Sequence, residues 1–262
     1  MASDARVWVN TLRQSHDHLA GVVAGLSASQ VAGPSYCSEW SVAQVLSHLG
    51  SGAEIGLANL EAMLTGEPAP SRERYQEIWA RWDAKSPADM AADAMVSDEA
   101  HVSRLAGLSD DQLNGLSTQF GGRTLDAAGI VGMRLAEHSV HTWDVESTLD
   151  PAATIQQGAV DLVVDLLPAR MGRLASGKKP GATPVDLEVH TSAPERSCQL
   201  SVTEEQVSLS PEAGSAAGHL DLSSEALIRL TYGRLDPGHT PAGVSIQGPV
   251  SLDELRELFP GF

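Results

Sequence analysis

Glu137 and His141 stand four residues apart in Arg134-Leu135-Ala136-Glu137-His138-Ser139-Val140-His141-Thr142-Trp143-Asp144. His48 lies far upstream in Ser41-Val42-Ala43-Gln44-Val45-Leu46-Ser47-His48-Leu49. Residues four apart on a helix share a face, so Glu137 and His141 can grip one cation while His48 reaches it from a neighbouring helix. Two imidazoles and a carboxylate are the three-ligand set of a catalytic zinc, whose fourth position goes to water or substrate; structural zinc is closed by four ligands, often cysteines. The chain has only two cysteines.

Arg134, Glu137, His141 and Asp144 follow the rhythm that keeps side chains on one seam of a helix. The adjoining seam of Met133, Ala136, Val140 and Trp143 is apolar, which sets the polar stripe beside the buried face, with Gly132, Ser139 and Glu146 expected outward. A charged row next to a core is costly unless each member is paired or bound to metal. A purely structural alternative pairs Arg134 with Glu137 and His141 with Asp144. As an orienting partner, Asp144 would hold a ligand imidazole in place. His138 is near enough to be an alternative ligand, although it points to a different side from Glu137. His16 and His18 are read as surface or partly buried histidines without a chemical role, and His101, His190, His219 and His239 show no partner pattern.

The elements that must position these residues follow from periodicity. Val7, Leu12, Leu19, Val22, Val23 and Leu26 predict a first helix over 5–26. Ser41 with Gln44 three residues on is a capping box that opens a second helix running to about Leu64. After Gly66-Glu67-Pro68-Ala69-Pro70, the stretch from Arg72 to Trp82 reads as a connecting helix or ordered loop. Further helices are expected from Pro87 to about Leu105 and, beyond a break at Gly121-Gly122-Arg123-Thr124, from about Leu125 to Ser147. Four helices with moderate links make a bundle.

Past Asp150-Pro151 the pattern changes, giving expected domains at 1–150 and 151–262. A helix over about 155–174 and a turn over Ser176–Gly181 precede period-two alternation at Val185, Leu187 and Val189, at Cys198, Leu200 and Val202, and at Val207 and Leu209. An Ala/Gly-rich turn over Pro211–Gly218, a strand over 219–222, a helix over 223–232, a strand over 244–246 and a capped last helix from Ser251 complete a small α/β domain.

A formal net charge of −17 over 262 residues argues against nucleic acid and against anionic membranes as partners. Cys37 and Cys198 form no CxxC pair, which favours a reducing cytosol. The start Met1-Ala2-Ser3-Asp4-Ala5-Arg6-Val7-Trp8 lacks a basic, then apolar, leader pattern, so a cytoplasmic protein is expected.

Trp40-Ser41-Val42, Leu46-Ser47-His48-Leu49 and Arg134-x-x-Glu137-x-x-x-His141-x-Trp143-Asp144-Val145 together resemble the mycothiol-dependent maleylpyruvate isomerase family of the wider DinB-like metalloenzymes. The resemblance implies an α + α/β fold class: an amino-terminal DinB-like four-helix bundle, then a small carboxy-terminal α/β, sterol-carrier-like domain. It implies a divalent metal, usually zinc, held by His48, Glu137 and His141, with mycothiol as cofactor or cosubstrate. Leu220 to Tyr232-Gly233-Arg234 looks like the second domain's strand, helix and Gly-Arg signature, which implies a catalytic role for Arg234. The partners implied are a small thiol and an electrophile, with either isomerisation of maleylpyruvate to fumarylpyruvate or S-transfer as the reaction. Two other readings stand beside it: a thiol-independent metal hydrolase with water in the open position, and a metal-stabilised ligand-binding module without catalysis. Two histidines and a carboxylate also suit iron, nickel or manganese.

Overall fold

A computed structural model describes residues 4–179, 184–211 and 214–261. Of the segments expected above, positions 1–3 of the amino end, 180–181 of the first turn and 212–213 of the second lie outside the described residues. The chain forms two compact units, Met1–Ala153 and Thr154–Phe262.

The first unit is helical. It contains α1 (Ala5–Ala24), α2 (Ala28–Val31), α3 (Val42–Thr65), α4 (Arg72–Asp83), α5 (Pro87–Ala106), α6 (Asp110–Asn114), a hairpin of β1 (Ser117–Phe120) and β2 (Arg123–Asp126), and α7 (Ala127–Glu146). The long helices pack as a closed ring of neighbours, α1 on α5 and α7, and α3 on α5 and α7, which is a four-helix bundle. The capping box at Ser41 is present, with the Ser41 N–H donating to Gln44 Oε1 at 2.9 Å and the Gln44 N–H to Ser41 Oγ at 3.2 Å. Gly50 sets the approach of α3 to α5, because a Cβ there would strike the Trp82 ring and come within 2.8 Å of Ala94 Cα.

Two local differences have clear causes. The Gly121-Gly122 break is the tight turn of a hairpin: Phe120 pairs with Arg123, and both glycines adopt positive φ (56° and 78°), as a type I′ turn requires. Gly132 and Ser139, expected outward on α7, are buried, because α7 is flanked by α1 and α3 and also meets the hairpin.

The second unit contains α8 (Gln157–Val163), α9 (Leu167–Leu174), β3 (Val185–Ser192), β4 (Arg196–Val202), β5 (Val207–Ser210), β6 (Gly218–Ser223), α10 (Ser224–Thr231), β7 (Ser245–Gln247) and α11 (Leu252–Leu258). The helix expected over 155–174 is broken by a 3₁₀ turn at Val164–Leu166. Pro168 explains the break, since it has no N–H to give back to the preceding turn and instead opens α9. The sheet order is β5-β4-β3-β6-β7, parallel between β3 and β6 and antiparallel elsewhere. Val185, Leu187 and Val189 of β3 and Leu220 and Leu222 of β6 are buried, while the alternate residues form a polar face. No described helix is long and apolar enough to cross a membrane.

Candidate metal centre

His48 sits two turns into α3, and Glu137 and His141 project from one face of α7 where the two helices pack. His48 Nε2 lies 3.6 Å and His141 Nε2 3.8 Å from Glu137 Oε2. Adjacent ligands of a tetrahedral ion with bonds near 2.1 Å are separated by about 3.4 Å, so the carboxylate oxygen stands from each imidazole nitrogen at nearly the separation that ligands of one cation have. The site is graded in exposure: the side chains of His48 and Glu137 are about two-fifths exposed, whereas His141 is 9% exposed and Asp144 not at all.

Asp144 fixes His141. Its Oδ2 lies 2.8 Å from His141 Nδ1, so that nitrogen carries the proton toward the carboxylate and Nε2 is left as the donor. The Cys37 thiol donates to the same Asp144 oxygen at 3.2 Å, and the Tyr36 N–H donates to the Asp144 carbonyl at 3.2 Å, tying the loop ahead of α3 to α7. Trp40, at the end of that loop, lies against both imidazoles, with ring centroids 5.3 Å from His48 and 6.2 Å from His141. Of the structural alternative, the His141–Asp144 pair is present.

Arg134 does not pair with Glu137 as the alternative had it. Its Nη2 donates to Asp98 Oδ1 at 2.6 Å and to the Leu49 carbonyl at 2.9 Å. Asp98 is the hub of a second buried group, 2.7 Å from His16 Nδ1 and 2.9 Å from His138 Nε2, while His138 Nδ1 lies 2.8 Å from Ser15 Oγ. Burial alone would raise the Asp98 carboxyl, but the facing His138 and Arg134 charges and the imidazole hydrogen bonds hold it well below the usual carboxylate range. The hydrogen bond to Asp98 raises His16, and burial lowers His138. His16 is therefore core rather than surface, and His138 serves Asp98 and Ser15. Asp98 itself escaped the sequence reading: an acidic residue on α5 four positions after Ala94 gives no sign of facing inward until helices are docked. His18 pairs with Glu146 at 2.7 Å, and buried His101, pushed down to about 3 by desolvation, fills the space left by Gly56.

In the second unit, Arg234 follows α10 and is buried, 2% exposed. Its Nη1 donates to the Tyr232 carbonyl at 2.6 Å. Gly233 is required beside it by a φ of 74° and by the close passage of Gly261, whose Cα would lie 2.6 Å from an added Cβ. Arg229, which sequence reasoning missed, is also buried. It binds Glu225 through two contacts of 2.7 and 3.1 Å and donates to the carbonyls of Arg234 and His239, holding the Gly-Arg turn from beneath.

A helical bundle that gathers two histidines and a carboxylate at one point, joined to a small sheet-containing unit, defines a bundle-type candidate metalloprotein. The family described as "Mycothiol maleylpyruvate isomerase N-terminal domain" matches residues 12–146, just over half of the chain, and the chain belongs to that family. The chain also shares the fold of a crystal structure described as mycothiol-dependent maleylpyruvate isomerase, with a TM-score of 0.67, 17% identity and 95% of each chain covered. A histidine-to-alanine mutant of such an isomerase gives a TM-score of 0.65 at 18% identity, again with 95% of each chain covered. No curated protein matches the chain significantly.

Proposed function

We propose that the chain is a metal-dependent enzyme that uses mycothiol, with His48, Glu137 and His141 as ligands of a divalent cation, zinc in our reading. The observation that carries this is the convergence of those three donors within 4.8 Å of one another, with Asp144 locked onto the outer nitrogen of His141. The donor chemistry fits: two neutral imidazoles and one carboxylate suit a borderline cation and leave a position for a further ligand. Such a cation supplies one thing here, the deprotonation of a thiol near neutral pH.

The substrate reading draws on family membership. Addition of the mycothiol thiolate to the cis double bond of maleylpyruvate forms a carbon–sulfur bond and pushes the electron pair onto the carbonyl oxygen. Rotation about the resulting single bond and expulsion of the thiolate then give fumarylpyruvate, with no net gain or loss of protons. Arg234 is assigned the role of holding a substrate carboxylate or the enolate oxygen. Trp40 lies against both imidazoles on one side of the site. Transfer of the thiol to another electrophile requires the same first step and stands as the second branch.

The test is turnover of maleylpyruvate by metal-loaded protein with and without mycothiol, with free thiol followed in parallel. Isomerisation only with mycothiol supports the reading. Thiol loss to another electrophile without isomerisation moves the protein to the transferase branch, and activity that needs no thiol, or none at all, overturns it in favour of a hydrolase or a binding module.

A further inference from the structure

We propose that Glu188, His190 and His219 form a second divalent-cation site, on the polar face of the sheet in the second unit. Alternation along β3 puts Glu188 and His190 on the same face two residues apart, and the parallel register of β3 with β6 sets His219 directly beside Glu188. The Glu188 carboxylate lies between the two rings, Oε1 3.2 Å from His190 Nε2 and Oε2 3.2 Å from His219 Nδ1. All three donor atoms fall within 4.8 Å of one another.

The surroundings favour a cation over a simple ion-pair ladder. His190 Nδ1 lies 3.2 Å from Ser197 Oγ, its register partner on β4, which fixes the ring with Nε2 turned toward Glu188. Asp221, the register partner of His190 on β6, adds a further acidic group to the same face. The side chains are reachable, with His190 42% and His219 53% exposed, so water can complete the coordination shell. Rigid strands set the spacing, and the buried alternate residues of β3 and β6 hold those strands in place. A buried histidine–carboxylate group outside the candidate centre, His16–Asp98–His138, lacks this character, because the Arg134 guanidinium 2.6 Å from Asp98 already supplies the positive charge. Two imidazoles and a carboxylate without a thiolate select zinc, nickel, cobalt or copper over magnesium or calcium.

The experiment uses the full chain stripped of metal, then titrated with zinc at neutral pH by calorimetry, with bound metal counted after gel filtration. The wild type, a His190→Gln/His219→Gln variant and a His48→Ala variant are compared, together with their melting midpoints. The expected result is that H190Q/H219Q binds about one equivalent less than wild type while melting normally, and that His48→Ala keeps the binding event that H190Q/H219Q loses. As a second readout, in the His48→Ala variant the ring protons of His190 and His219, identified as the signals absent from H190Q/H219Q, should broaden together on addition of about one equivalent of cobalt. Equal stoichiometry in wild type and H190Q/H219Q, or cobalt saturation without any change in those ring signals, overturns the proposal. Neither outcome depends on whether the bundle site binds metal.

Discussion

His141 Nδ1 lies 2.8 Å from Asp144 Oδ2, one helical turn further along α7, and the Asp144 side chain is fully buried. The pair makes one helix supply a candidate ligand and the group that orients it. Cys37 donates to the same carboxylate oxygen, so the orientation of the imidazole is tied to the loop before α3 as well.

Removing the orienting group should therefore weaken metal without removing a ligand. In an H190Q/H219Q background, Asp144→Asn is expected to lower zinc affinity about 10- to 100-fold, while His48→Ala and Glu137→Ala abolish stoichiometric binding. Competition against a chromogenic chelator measures both, and stoichiometric metal in His48→Ala on that background would show that the ligand set is wrong.

Substitution of Arg234 tests whether binding and turnover can be separated. Arg234→Ala should retain the metal and lower turnover by about 100-fold or more, as expected when a charge-stabilising donor is lost. Arg234 is buried, so its melting midpoint must be recorded with its rate; Arg229→Ala is the control for a purely structural effect. A large drop in melting for Arg234→Ala with turnover preserved at low temperature would reject the catalytic role.

The Asp98 group makes a stability prediction. Asp98→Ala leaves the Arg134 guanidinium buried without its carboxylate, and breaking such a pair costs about 3–5 kcal/mol, read as a lowered denaturant midpoint. Metal affinity at the His48–Glu137–His141 set should change far less.

The same group gives a pH dependence. His16 is raised in the folded state, mainly by its hydrogen bond to Asp98, with Glu99 adding to the effect and Arg13 opposing it. A group whose folded pKa is raised stabilises fully below its unfolded value, about 6.5, and loses that contribution as pH rises through the folded value. The difference in melting midpoint between wild type and His16→Gln should thus be largest in mild acid and shrink on the alkaline side of neutrality. A difference that grows with pH would contradict the pairing.

Gly50→Ala tests the contact of α3 with α5. Its methyl group would meet the Trp82 ring and Ala94 Cα, and overpacking of this kind costs about 1–3 kcal/mol. Thermal melting reads it directly. An alanine there that stabilises, as helix propensity alone would suggest, would mean the two helices part without cost.

Much of the architecture was legible in the residues. The helical periods, the Ser41 capping box and the alternation at Val185–Val189 are local signals, and each reappears as an element near its expected bounds. Glu137 and His141 shared a face by spacing alone, and His48 was the residue that could join them from a neighbouring helix. Two local signals were passed over, Pro168 within a helix and Gly121-Gly122 as a hairpin turn. What the sequence could not specify was which charges meet across helices. Arg134 chose Asp98, thirty-six positions away, over Glu137 one turn along its own helix, and His16, His138 and Ser15 gathered around the same carboxylate. Glu188 and His219 met only because β3 and β6 run parallel in one register. Spacing along the chain sets which residues share a face. Which face a neighbour presents is decided by packing the whole core, where burying an unpaired charge costs more than any local preference offers.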